Sequence, residues 1–287
     1  MLGRRERPIR AWSWIVTIYG DVVVPRGGEL ALSSLLAICA ALGIEGGVVR
    51  TALTRLVADG LIERRRVGRN SFHRLAPRMA DEFARATERI YFATPQRWSG
   101  TWRLAILPVG GGKDGQGEAL HQAGYGQLAP GVLLAPLGAG GRLYSGREPL
   151  PGPAILLDAT GAAADGPALA TRAWNLARLA EDYRAFLATF APLEAAFVAG
   201  SAVGDLEALA LRIRLVHAYR RIALKDPLLP GELLPPGWPG NEARRICALI
   251  YRRVREPSER WLDRHGASAQ GPLPPPDHSL QRRFATA

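Results

Sequence analysis

Seven arginines and two threonines lie within "RTALTRLVADGLIERRRVGRNSFHRL", residues 50–75. A guanidinium donates paired hydrogen bonds to phosphate or to the O6/N7 edge of guanine, and a threonine brings a hydroxyl and a methyl to base edges. Opposing them are only Asp59 and Glu63, so residues 50–74 hold a net +5 of the chain's +11. The residues expected to meet nucleic acid are Arg50, Thr51, Thr54 and Arg55, then Arg64, Arg65, Arg66, Arg69, Asn70, Ser71, His73 and Arg74. The competing reading is a solvated basic face on a structural domain. Global charge decides little: Lys113 and Lys225 are the only lysines among 37 basic residues, a bias that a GC-rich genome produces by itself. Such a bias does not explain clustering.

Elements must hold these groups in register. Leu32, Leu35, Leu36, Cys39 and Leu42 recur at three- and four-residue spacing in "ELALSSLLAICAALG", which predicts a helix closed by Gly43. A second helix is predicted over 45–59, with Val49, Leu53, Leu56 and Val57 inward and the Arg/Thr set outward. Gly46-Gly47 departs from a good helix start. "LIERRRV", "GRNS" and "FHRLA" read as strand, turn and strand. Two helices followed by a hairpin make a winged helix-turn-helix, whose second helix enters the major groove while the hairpin lies beside it. Ahead of them, a basic arm (Arg4, Arg5, Arg7, Arg10) leads into a helix expected to stop near Asp21.

The whole reads as α+β in three parts and a tail. Residues 1–94 form the winged helix-turn-helix and a linker helix; 95–172, with "TWRLAILPV", "GVLLAPLG" and "AILLDA" as strands around a short helix, form a middle α+β domain. Residues 173–265 form a helical C-terminal domain, and 266–287, polar and Pro-rich, a mobile tail. Trp238 in the Pro-rich corner reads as a core plug. Cys39 and Cys247 sit far apart in apolar helical segments, so a reducing cytoplasm is expected and no disulfide. No apolar run is long enough to cross a membrane.

Rival chemistries find little support. Gly110–Gly115 fits G-x-G-x-x-G, but the acid that would hold a ribose is missing from "PGVLLAP" at 130–136, and Lys113 precedes Asp rather than Ser or Thr. Histidines 73, 121, 217, 265 and 278 lack zinc-site spacing. "AGSAVG" around Ser201 lacks a nucleophile elbow. No enzyme, metal or cofactor is expected. The remaining alternative is an architectural or RNA-binding protein without an effector.

Several segments together resemble the PaaX-like repressors of phenylacetate-degradation operons: "IVTIYGDVVVPRGGELALSSLL", "VRTALTRLVADGLIERRRVGRNSFHRL", "WSGTWRLAILP", "WNLARLAEDYRAFLATF" and "HAYRRIALKDPLLPGELLPPGWPG". The resemblance covers most of 10–262. Arg50, Thr51, Leu53, Arg55 and Leu56 match its recognition-helix pattern, and Gly68, Arg69 and Ser71 its wing. It implies a homodimer on an operator in double-stranded DNA, released by an aryl-CoA thioester, typically phenylacetyl-CoA. It also implies a ferredoxin-like middle domain similar to a small CRISPR-associated endoribonuclease, although "LAILPVGG" lacks the metal-binding Asp such a nuclease needs. For the phosphates of such a ligand, His217, Arg220, Arg221 and Lys225 are candidates because they recur at one- and two-turn spacing. The alternative for them is ion pairing with Asp205, Glu207 or Glu242.

Overall fold

Large apolar side chains at Ile15, Ile18, Val22 and Val23 carry the first helix into a core. Helix α1 (Ala11–Ile18) continues as a π-helical turn over Tyr19–Val23 and a 3₁₀ turn over Val24–Arg26. It therefore runs past Asp21: Pro25 suits the start of the tighter turn, and Gly27 at φ +85° ends it. The computed structural model describes residues 11–93, 97–108, 115–138, 154–162, 165–198 and 202–285. They group into two compact units, one of residues up to Phe92 with Phe186–Leu224 and Glu242 onward, the other of Ala93–Ala185 and Lys225–Asn241.

In the first unit, strand β1 (Glu29–Ala31) precedes α2 (Leu32–Ala41). Three residues are too few to show a period, and the sequence placed them in the helix. Helix α3 spans Gly46–Ala58. Both helices end in the same way. Gly43 (φ +80°) follows α2, with Ile44 N–H on Cys39 O and Gly43 N–H on Ala40 O, both at 2.9 Å. Gly60 (φ +65°) follows α3, with Leu61 N–H on Leu56 O at 2.9 Å and Gly60 N–H on Val57 O at 3.0 Å. These paired bonds satisfy carbonyls that a helix end otherwise leaves open.

Strands β2 (Ile62–Val67) and β3 (Asn70–Leu75) form a hairpin closed by Gly68 and Arg69. The sheet order is β1-β3-β2, antiparallel throughout. A 3₁₀ turn at Pro77–Met79 leads into α4 (Ala80–Thr87), which widens to a π-helical turn over Glu88–Phe92.

The second unit holds β4 (Thr101–Ile106), α5 (Gln116–Gln122), β5 (Gly126–Ala129), β6 (Val132–Pro136), β7 (Ile155–Thr160) and α6 (Gly166–Ala173). Its antiparallel sheet has the order β5-β6-β4-β7. Trp102 stacks on Trp174 at a centroid distance of 6.3 Å and meets Trp98 at a tilt at 5.3 Å. Trp238, half-buried, meets Tyr183 edge-on at 6.0 Å and packs against the same cluster, so the Pro-rich corner closes the edge of the core.

Helix α7 (Leu176–Val198) starts in this unit and from Phe186 belongs to the first, as do α8 (Asp205–Ala223) and most of α9 (Pro239–His265). Leu209, Ile213, Trp261 and Leu262 pack in one core with Ile15, Leu35, Val49 and Leu53. The C-terminal helices thus contribute to the same core as the N-terminal elements. The chain is α+β.

A buried ion network pins these elements. The Asp21 carboxylate accepts from Arg212 Nε at 2.7 Å, Arg283 Nη1 at 2.8 Å, Tyr91 OH at 2.7 Å and Tyr251 OH at 3.0 Å. Burial works to raise this carboxyl, but Arg212 and then Arg283 outweigh it and hold it below the usual carboxylate range. Arg26, also buried, donates from Nε to Glu259 at 2.7 Å.

The tail is packed, not mobile, as far as residue 285. Strands β8 (Ala267–Ser268) and β9 (Gly271–Pro272) pair, α10 (Ser279–Arg282) follows, and Leu273, Leu280, Arg283 and Phe284 are buried. Its prolines and polar residues read as disorder because these anchors are too widely spaced to register as a pattern.

Candidate nucleic-acid interface

Helix α3 turns Val49, Ala52, Leu53 and Leu56 inward at three- and four-residue spacing. That leaves Gly47, Val48, Arg50, Thr51, Thr54 and Arg55 exposed on the other side. The two threonine hydroxyls donate back along the helix, Thr51 to Gly47 O at 3.1 Å and Thr54 to Arg50 O at 3.0 Å. With the hydroxyl hydrogen committed, each threonine offers an acceptor lone pair and a methyl outward. Val48 was missed by the sequence reading. An exposed valine in the first turn of a helix is an apolar contact without a partner in the fold, and that anomaly was its only signal.

The hairpin projects beyond the core: in β2 only Ile62 is buried, and Glu63 through Val67 are exposed. Strand alternation puts Arg64 and Arg66 on one face and Arg65 on the other. Arg64 Nε donates to Ser71 Oγ at 3.0 Å, bracing the two strands. Arg69 and Asn70 sit at the tip, where Gly68 takes φ +58° and lets a two-residue turn close with the twist of the strands. Arg65, Arg66 and Arg69 therefore stand as outward charges. Arg74 differs, since its guanidinium pairs with Glu63 at 2.6 Å on the surface.

His73 does not belong to this face. It is 4% exposed, its carbonyl accepts from Tyr19 OH at 3.0 Å, and burial, then Arg64, pushes its imidazole pKa down. The cause is its strand: β3 lies in the middle of the sheet, and His73 is flanked across it by Leu30 of the core on one side and Arg64 on the other.

A residue outside the expected set holds the face in place. Arg78 Nε donates to Gly60 O at 2.9 Å, and its Nη2 reaches Asp59 O, at the carboxyl end of α3. A cation there also complements the helix dipole.

The expected ligand residues do not converge. His217 is buried, stacked on Trp14 at 3.8 Å with its Nδ1 2.9 Å from Thr17 Oγ1, and burial followed by Arg220 and Arg221 pushes it down to about 3. Arg220 donates to Thr17 Oγ1 at 2.7 Å and to Ser13 O and Oγ at 2.9 Å. Arg221 and Lys225 are exposed, and Lys225 belongs to the other compact unit. The spacing mixes inward and outward positions because α8 is packed on several sides. Rather than the alternative ion pairs, His217 and Arg220 make contacts that fasten α8 to α1.

The basic arm (residues 1–10), residues 110–114 of the glycine-rich stretch, and Ser201 lie outside the described residues. Among the described residues no group of three His, Cys, Asp or Glu is placed to hold a metal ion, and no helix is long and apolar enough to cross a membrane.

A closed core bearing an outward helix and hairpin lined with guanidinium groups marks the class, an α+β protein with a strongly basic face. Residues 10–79 match the PaaX-like protein family, and residues 174–264 match the PaaX-like protein C-terminal domain. The transcriptional repressor PaaX of Escherichia coli (strain K12) is 33% identical over 297 residues, which cover 96% of this chain and 90% of that protein. The chain belongs to the PaaX family. An uncharacterized protein from Mycobacterium tuberculosis is similar in fold, with a TM-score of 0.56 at 24% identity over 87% of this chain and 97% of its own.

Proposed function

We propose that this protein is a cytoplasmic DNA-binding transcriptional repressor that sits on an operator as a homodimer and leaves it when an aryl-CoA such as phenylacetyl-CoA binds. The observation that carries the reading is the exposed row of Arg50, Thr51, Thr54 and Arg55 on α3, set beside a hairpin whose arginines point outward. On this reading α1–α3 and the β1-β3-β2 sheet are a winged helix-turn-helix. Arg50 and Arg55 donate to guanine edges, and Val48 and the threonine methyls touch thymine methyls. Arg65, Arg66 and Arg69 hold phosphates and set the register without reading sequence. The strand order β5-β6-β4-β7 supports a ferredoxin-like middle domain. The family relationship, not the geometry, supports the aryl-CoA and the control of aromatic-compound catabolism.

Fluorescence anisotropy on DNA from upstream of the chain's own gene, against scrambled DNA, tests the reading. The expected result is site-specific binding to half-sites related by a two-fold axis, abolished by phenylacetyl-CoA. Equal, salt-sensitive binding to both DNAs overturns it in favour of an architectural protein. Specific binding that ignores the thioester removes the assigned effector.

A further inference from the structure

A cavity of about 110 Å³ lies within the first unit, between α1, α4 and α8. Val16, Phe83, Ala86, Ile90, Val216 and Leu224 make its walls apolar. Its polar end is Arg220, whose Nε and Nη2 are held by Thr17 and Ser13. Among the described residues no carboxylate lies within ion-pairing distance of that guanidinium, and its Nη1 has no hydrogen-bond partner. Arg220 is half-buried; burial, with Arg221 nearby and Tyr91 opposing, pushes its pKa down, and an anion at this end of the cavity would supply the counter-ion it lacks. Asp21 borders the cavity too, but its carboxylate is occupied by Arg212 and Arg283, and Glu82 is exposed.

Two further features mark the place. Both π-helical turns described above, Tyr19–Val23 and Glu88–Phe92, contribute to its lining, and such turns recur at functional sites. The cavity also sits behind the basic face. Ile15 and Ile18 of α1 share a core with Val49 and Leu53 of α3, and α4 follows directly from the segment in which Arg78 caps α3.

We propose that this cavity binds a small apolar carboxylate, with one aromatic ring or a short branched chain between α1 and α4 and the carboxylate on Arg220. Size sets the class: an apolar protein cavity of roughly 150 Å³ takes one benzene, so a cavity of about 110 Å³ holds a single ring or less, far from a whole CoA ester. The site is thus separate from the one the aryl-CoA of the preceding reading requires. Occupancy pushes α4 away from α1 and draws Arg78 off the end of α3, which weakens DNA binding. Only that last consequence rests on the repressor reading; ligand binding itself does not.

Isothermal titration calorimetry on the full chain without DNA, using phenylacetate, the isosteric but uncharged phenylacetamide, and phenylacetyl-CoA, tests the site. The acid is expected to bind at least about tenfold more tightly than the amide, the scale of a hydrogen bond to a charged group. Arg220→Met is expected to erase that preference. Ala86→Leu, which fills the cavity and leaves Arg220 in place, is expected to abolish binding of acid and amide alike with unchanged far-UV circular dichroism, which keeps the test decisive where Arg220→Met does not fold. No binding of the acid, equal binding of acid and amide, binding by the thioester alone, or binding undisturbed by Ala86→Leu overturns the proposal. Anisotropy with phenylacetate then reads the coupling: ligand binding without any specific DNA binding overturns the repressor reading and leaves the site standing.

Discussion

Arg78 Nε lies 2.9 Å from the carbonyl oxygen of Gly60, so the segment that leads into α4 closes the carboxyl end of α3. The guanidinium reaches Asp59 O as well, covering two carbonyls at the helix end. Gly60 suits this position for its backbone and for the room it leaves Arg78. Its φ is +65°, and a Cβ there would have to displace the Arg78 guanidinium from the helix end. The helix that carries the basic face is thus fixed at its far end by a residue 18 positions later in the chain.

Arg78→Ala is expected to cost about 1 kcal/mol, the net worth of such a bond. Gly60→Ala costs about 1–2 kcal/mol from the left-handed backbone alone, with the clash added. Because the clash is with Arg78, the double variant loses less than the sum. Urea midpoints of the two single variants and the double variant, at constant m, measure the coupling; strict additivity would refute the contact.

Stability should fall with acidification through His217. Its folded imidazole titrates near 3, against about 6.5 in an unfolded chain, so the unfolded chain takes up the proton first. The stabilisation is therefore complete above about pH 6.5 and is lost as pH falls toward 3; His73, also pushed down by burial, adds in the same direction. At pH 5 the His217 share is about 2 kcal/mol. Urea unfolding at pH 7 and pH 5 should show that much less difference in His217→Gln than in the wild type.

Removing the tail should be severe. Truncation after His265 deletes Leu273, Leu280 and Phe284, buried side chains worth about 1.5–3 kcal/mol each, and takes one of two guanidinium partners from Asp21. A loss of about 5 kcal/mol or more is comparable with the whole stability of a domain. Calorimetry of the truncated chain should find the melting transition lowered by many degrees or absent. An unchanged transition would mean the tail is dispensable.

The basic face was legible from sequence because its determinants are local. Val49, Leu53 and Leu56 repeat within α3, and strand, turn and strand follow each other through Gly68. What escaped depended on partners distant in the chain. Asp21 meets Arg212 across 191 residues and Arg283 across 262, and no periodicity announces such pairs. His73 failed for a related reason: β1, three residues long, gave no signal, so the strand that became the middle of a sheet was read as half of an isolated hairpin. His217 and Arg220 matched a helical spacing, yet spacing does not tell which side of α8 is covered.

The division of labour between helix and hairpin gives the last prediction. Arg55 faces outward from α3 with no ion pair to restrain it among the described residues, and a guanidinium there reads a base by two hydrogen bonds; Arg55→Ala should therefore cost about 1–3 kcal/mol on the operator and almost nothing on scrambled DNA. Arg65, exposed on the hairpin, meets phosphate, which every sequence offers. Arg65→Ala should weaken both DNAs alike and reduce the slope of log K against log salt by about 1, one released counterion fewer. Arg74, already neutralised by Glu63, should change the slope by less than Arg65 does, and His73→Leu not at all, since a 4% exposed side chain has no phosphate to meet. Anisotropy titrations of the four variants on both DNAs at several salt concentrations separate these outcomes. If Arg55→Ala and Arg65→Ala behaved identically on operator and scrambled DNA, α3 would not be reading bases.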